Sequence, residues 1–137
     1  MHMMESVDFG SAVSYNGEEY VFLASTDEIF YLAKILSKDL TQRVIAQDAK
    51  LRASAPRNAS IRLQNILYSY VELKTEQFKK RLAHLHRTDQ QFDPSLILDK
   101  ICDLCDEDKR DLQKEILREN SAAPNELKML VRKVTIH

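Results

Sequence analysis

The sequence predicts a mainly α fold, a compact bundle of about five helices, two long and three shorter, preceded by an N-terminal β-hairpin. Apolar residues recur at intervals of three and four over most of the chain beyond residue 25. Only two glycines and three prolines occur, and closely spaced strands draw on those residues for their turns. The exception is Asn16-Gly17, which stands between two β-prone arms and supplies the two positive φ values of a type I′ turn. With 137 residues, 44% hydrophobic and 30% charged, the chain is long enough for one core and too apolar for intrinsic disorder. Residues 1–10 are expected as a flexible N-terminus and residues 11–137 as one helical domain, with the hairpin over 11–24.

Pairing across Asn16-Gly17 sets Val13 opposite Tyr20 and Tyr15 opposite Glu18. Val13, Tyr15, Tyr20 and Phe22 then share one aromatic face. An isolated hairpin is marginal in water, so that face needs a covering surface, either its own helices or a partner. Ser25-Thr26-Asp27-Glu28 has the form of a capping box. It opens a long first helix with Ile29, Leu32, Ala33, Leu36, Leu40, Val44 and Leu51 on one stripe, ending before Pro56. A second long helix is expected from about Ala59 to Arg87, with Leu63, Ile66, Tyr70, Leu73, Phe78, Leu82 and Leu85 inward. Asp93-Pro94 reads as an N-cap with proline at the first helical position, leading into Ile97, Leu98, Ile101, Cys102 and Cys105. Asp106 caps a polar helix holding Leu112, Ile116 and Leu117. Pro124 precedes a last helix with Leu127, Leu130, Val131 and Val134.

The formal charge of -1 conceals a segregation. Six acids and no Lys or Arg lie between Met1 and Glu28, seven bases face two acids between Lys34 and Leu63, and seven acids face three bases between Asp93 and Asp111. Such blocks steer a charged partner or a second copy of the chain. No run of apolar residues is long enough to span a bilayer, and Met1 to Gly10 lacks the pattern of a secretory signal, so a cytoplasmic protein is expected with no membrane partner. Cys102 and Cys105 are the only cysteines and form no disulfide framework.

Cys102 and Cys105 continue the stripe of Leu98 and Ile101, the place of core cysteines. Their spacing also matches a zinc half-site, which His84 or His86 could complete across two packed helices. The run Lys79-Lys80-Arg81-Leu82-Ala83-His84-Leu85-His86-Arg87 suits a helix C-terminus. With Lys74, the cations Lys79, Lys80, Arg81 and Arg87 are also the candidate contacts to a nucleic-acid backbone. Within this run Arg81 is followed, after four residues, by His86. That spacing resembles the R-x4-6-H motif of HEPN ribonucleases, although those carry a polar residue where this chain has Leu82. The resemblance covers six residues and implies an all-helical dimer cleaving RNA without metal, with Arg81 holding phosphate and His86 exchanging protons.

No Gly-rich phosphate loop, nucleophile elbow, H-E-x-x-H or dinucleotide fingerprint occurs. No cofactor and no small-molecule substrate are expected. The leading expectation is a non-enzymatic protein-interaction or regulatory module, of the adaptor, antitoxin or immunity type, that binds a protein partner or itself through Tyr15, Tyr20 and Phe22. A nucleic-acid binder or HEPN-like ribonuclease is the alternative.

Overall fold

The computed structural model describes residues 6–54, 70–85, 92–95, 97–118, 121 and 123–136. It replaces the expected helical bundle with a six-stranded antiparallel sheet and three α-helices among these residues. The strands are β1 Ser11–Tyr15, β2 Glu18–Ser25, β3 Phe30–Ile35, β4 Tyr70–Glu72, β5 Leu82–His84 and β6 Asp99–Asp103. The helices are α1 Lys38–Ser54, α2 Asp106–Leu117 and α3 Asn125–Arg132. Across the sheet the order is β4-β5-β3-β2-β1-β6.

The hairpin forms in the expected register, with Val13 opposite Tyr20 and Tyr15 opposite Glu18. Asn16 and Gly17 take φ values of 52° and 78°, which only a turn of the primed kind requires at both positions. Order begins ahead of Ser11: Phe9 is buried, and the Gly10 amide donates to the Phe22 carbonyl at 2.9 Å.

The first half of the expected long helix is instead a third strand. Thr26 caps a turn rather than a helix: its Oγ1 accepts from the amides of Glu28 and Ile29, both at 3.1 Å, while its own amide donates to the Ile29 carbonyl. The chain returns as β3 beside β2. In β3, Tyr31, Ala33 and Ile35 enter one core and Phe30 and Leu32 the other. A strand covered on both faces needs apolar residues at nearly every position, and such a run also satisfies helical spacing. Helix α1 occupies only the second half of the expected element.

The second expected helix is corrected in the same way. Its residues 59–69, 86 and 87 lie outside the described ones, and the remainder forms β4, a short 3-10 turn over Glu76–Phe78, and β5. The Leu73 amide donates to the Arg81 carbonyl and the Lys80 amide to the Leu73 carbonyl, closing this hairpin with Lys80 at a φ of 66°. The third expected helix is β6. Asp93 turns the chain by accepting from the Ser95 amide, and β6 pairs with β1 through an irregularity between Ala12 and Val13. The last two helices stand where expected, as α2 and α3.

Two apolar clusters sandwich the sheet. On one face Ala12, Val21, Leu23, Ala33 and Val71 meet Leu112 and Ile116 of α2 and Leu127 and Val131 of α3. On the other, Val13, Tyr20, Phe22 and Leu32 meet Phe92, with Val7, Tyr15, Phe30 and Leu98 around them. Helix α1 belongs to this second side, because Tyr70 alternates with the inward Val71 and its hydroxyl donates to Asp48 at 2.5 Å.

Candidate binding groove

Asp108 fastens α2 to the end of β4. It is fully buried, and its carboxylate accepts from the Lys74 amide at 2.9 and 3.0 Å, the Thr75 amide at 2.8 Å and the Thr75 hydroxyl at 2.6 Å. The Cys105 amide in turn donates to the Thr75 hydroxyl oxygen at 2.9 Å. This latch sets α2 alongside an edge strand. Since the Leu73 amide points toward β5, the alternation of an antiparallel ladder turns the N–H and C=O of Glu72 outward, away from β5. The next outward amide, Lys74, is the one Asp108 holds. Among the described residues nothing pairs with the outer edge of β4.

Between that edge and α2 lies a groove of about 620 Å³, lined by Tyr70, Val71, Glu72 and Lys74 on one wall and by Asp111, Lys114, Glu115 and Arg118 on the other. The helical wall follows from spacing, since Asp111, Lys114 and Glu115 step by three and one and share one side of α2, while Arg118 follows at its C-terminal end. Lys74 pairs with Glu107 at 2.7 Å and Asp111 at 3.6 Å, and these partners raise its ammonium pKa, the Glu107 bond foremost. Arg118 pairs with Glu115 at 3.0 Å; burial pushes the Glu115 carboxyl up, and the guanidinium opposes the shift. Among the described residues Lys114 and Glu72 have no ion-pair partner. No Ser, Cys or His occurs among the described lining residues, so the groove offers charge and main-chain hydrogen bonds.

Other residues singled out in the sequence are placed elsewhere. Arg81 is a structural cation, with Nε donating to the Leu36 carbonyl at 2.6 Å, Nη2 to Glu19 at 2.8 Å, and the guanidinium 5.4 Å from the Phe78 ring centre. It precedes a strand, so the helix on which a HEPN motif would sit is absent, and His86 lies outside the described residues. Of the candidate phosphate contacts, Lys74 is committed to Glu107 and Asp111, Arg81 to Glu19, and Arg87 lies outside the described residues; Lys79 and Lys80 are exposed on the β4–β5 turn.

Cys102 is half-buried on β6, where burial and then Asp103 raise its thiol pKa. Cys105 is exposed and caps α2 with extended backbone angles. An extended path of three residues separates their Cα atoms by about 10 Å, beyond the roughly 7 Å a disulfide tolerates. His84 on β5 is four strand positions from β6, about 19 Å at the usual strand spacing, so it cannot complete a metal site with them. Among the described residues no group of three metal-ligating side chains forms.

Tyr20 and Phe22, 8% and 7% exposed, face the interior. Tyr20 meets the edge of Phe92 at 5.5 Å between ring centres, and Phe22 meets Phe30 at 5.7 Å. Tyr15 packs beside them, half-buried. The Tyr20 hydroxyl donates to Glu18 at 2.8 Å; burial first and this bond second push its pKa up to about 12. The same bond, followed by Lys34 at 3.2 Å, lowers the Glu18 carboxyl. The aromatic face of the hairpin is thus covered by its own chain. Helical spacing over residues 59–87 hides β4 in the sequence and the groove with it, and the polar stripe of Asp111, Lys114, Glu115 and Arg118 is the one signal of its second wall.

Among the described residues no helix is long and apolar enough to cross a membrane. Comparisons with protein families, with curated proteins and with solved structures find no match to this chain.

Proposed function

We propose that the chain is a non-catalytic protein-interaction module whose partner lies in the groove between β4 and α2. The observation that carries this is the outward main chain of Glu72 beside a charged cleft, held open by the buried Asp108 latch. An edge strand flanked by a helix is one of the recurring ways in which proteins take up a segment of another chain. The module acts in the cytoplasm, where the two thiols, too far apart to join, stay reduced. This reading moves the partner surface from the hairpin, whose aromatic residues are spent on the core, to the opposite end of the sheet.

The test is selection from a random peptide display library, followed by nuclear magnetic resonance mapping of the selected peptides on the folded protein. Shifts confined to residues 70–74 and 111–118 support the proposal. Failure to select any binder, or binders that map elsewhere, would overturn it. Binding of single-stranded RNA through Lys79 and Lys80, weakening steeply with salt, would favour the nucleic-acid alternative.

A further inference from the structure

Among the described residues two charges in the groove, Glu72 and Lys114, have no ion-pair counterpart, and they sit on opposite sides of the strand edge. Val71 points into the core beneath α2, so Glu72, its neighbour, directs its side chain to the other face of the sheet. Lys114 belongs to the helical wall on the core side. The remaining cations of the groove are already matched, Lys74 by Glu107 and Asp111 and Arg118 by Glu115. A strand added to β4 places the residue opposite Glu72 on the Glu72 face and the residues on either side of it on the Lys114 face.

Resting on the groove reading above, we propose that the partner is an extended segment in which a basic residue is flanked by acidic ones, added as a strand along β4. The basic side chain lies opposite Glu72 and an acidic one reaches Lys114, while the Glu72 amide and carbonyl bond to the incoming main chain. The segment is short. Asp108 closes the edge at Lys74, so the strand offers the four residues from Tyr70 to Leu73, about 10 Å between the outer Cα atoms, which is room for roughly four extended residues of a partner. Like charge at either position sets a carboxylate against Glu72 or a cation against Lys114, which excludes uniformly acidic and uniformly basic segments.

The probes are capped hexapeptides: one alternating glutamate and arginine, one with three glutamates followed by three arginines, and the alternating one with its inner amides N-methylated. Titration into the full chain, followed by amide shifts at Tyr70–Leu73 and Asp111–Arg118, is expected to show at least fivefold tighter binding of the alternating peptide than of either control. The Lys114→Glu variant should lose about fivefold for that peptide and recover it for one with lysine in place of each glutamate, a reversal that a merely structural role for Lys114 would not produce. Glu72→Lys should show the matching reversal at the arginines. Equal binding of the alternating and block peptides, or no effect of N-methylation, overturns the proposal. If library-selected peptides still map to the groove, the interaction module stands and only its proposed ligand falls.

Discussion

Replacing Asp108 by alanine should be among the most damaging single changes in the chain. The carboxylate is fully buried and satisfies the amides of Lys74 and Thr75 and the Thr75 hydroxyl. The hydroxyl can rotate toward another acceptor, whereas the two amides are fixed by the backbone. The two amides meet the carboxylate in a part-buried site, and leaving them without an acceptor at about 1–3 kcal/mol each puts the expected loss for Asp108→Ala at about 4 kcal/mol. That is a large part of the ~5–15 kcal/mol by which domains are stable, and for a chain of this size it lowers Tm by roughly 12 °C. Asp108→Asn keeps one acceptor oxygen and should lose about half as much. Urea unfolding followed by circular dichroism is the assay, since the chain has no tryptophan. A loss below about 1 kcal/mol for the alanine variant would refute the view that this carboxylate fastens α2 to β4.

Three further outcomes follow from the geometry. Lys80 holds a φ of 66° in an exposed turn, a conformation costing a side-chain-bearing residue about 1 kcal/mol, so Lys80→Gly should raise stability by roughly 0.5–1 kcal/mol in urea, and unchanged or lower stability would count against the strain. Phe22→Ala should lose about 3–5 kcal/mol with no change in oligomeric mass by sedimentation; a stable variant that instead changes its mass would mean that the hairpin face serves a second chain. The Tyr20 phenol, raised to about 12, binds its proton more tightly folded than unfolded, so its contribution is full below the ordinary tyrosine pKa near 10 and is lost as pH rises toward about 12. Stability should fall by about 2–3 kcal/mol across that window, and Tyr20→Phe should flatten this part of the profile; an equally steep fall in the variant would assign it to other groups.

Local signals were legible wherever one residue type forces one geometry. Asn16-Gly17 specified the hairpin and its register, and Pro124 with the stripe of Leu127 and Val131 specified α3. The strands β3, β4, β5 and β6 were hidden for two reasons. A strand buried on both faces, such as Phe30–Ile35, has no alternation to distinguish it from a helix. The scarcity of glycine and proline argued against further turns, yet two turns are made without them, one through the Thr26 hydroxyl and one through Lys80 in the left-handed region. The groove was illegible for the same cause, because a binding edge can be recognised only once its strand is known.

The last strand to join the sheet borders the first. Ser11 on β1 meets Asp103 on β6 across 92 residues, and the Ser11 hydroxyl donates to the Asp103 carboxylate at 3.1 Å. On a ribosome adding about 5–20 residues per second, the hairpin emerges roughly 5–20 s before the strand that covers its outer side. During that interval Ser11 to Ser14 present an unsealed ribbon edge, open to pairing with neighbouring nascent chains. Vulnerability to misassembly during synthesis is therefore concentrated at the segment whose local structure forms most readily.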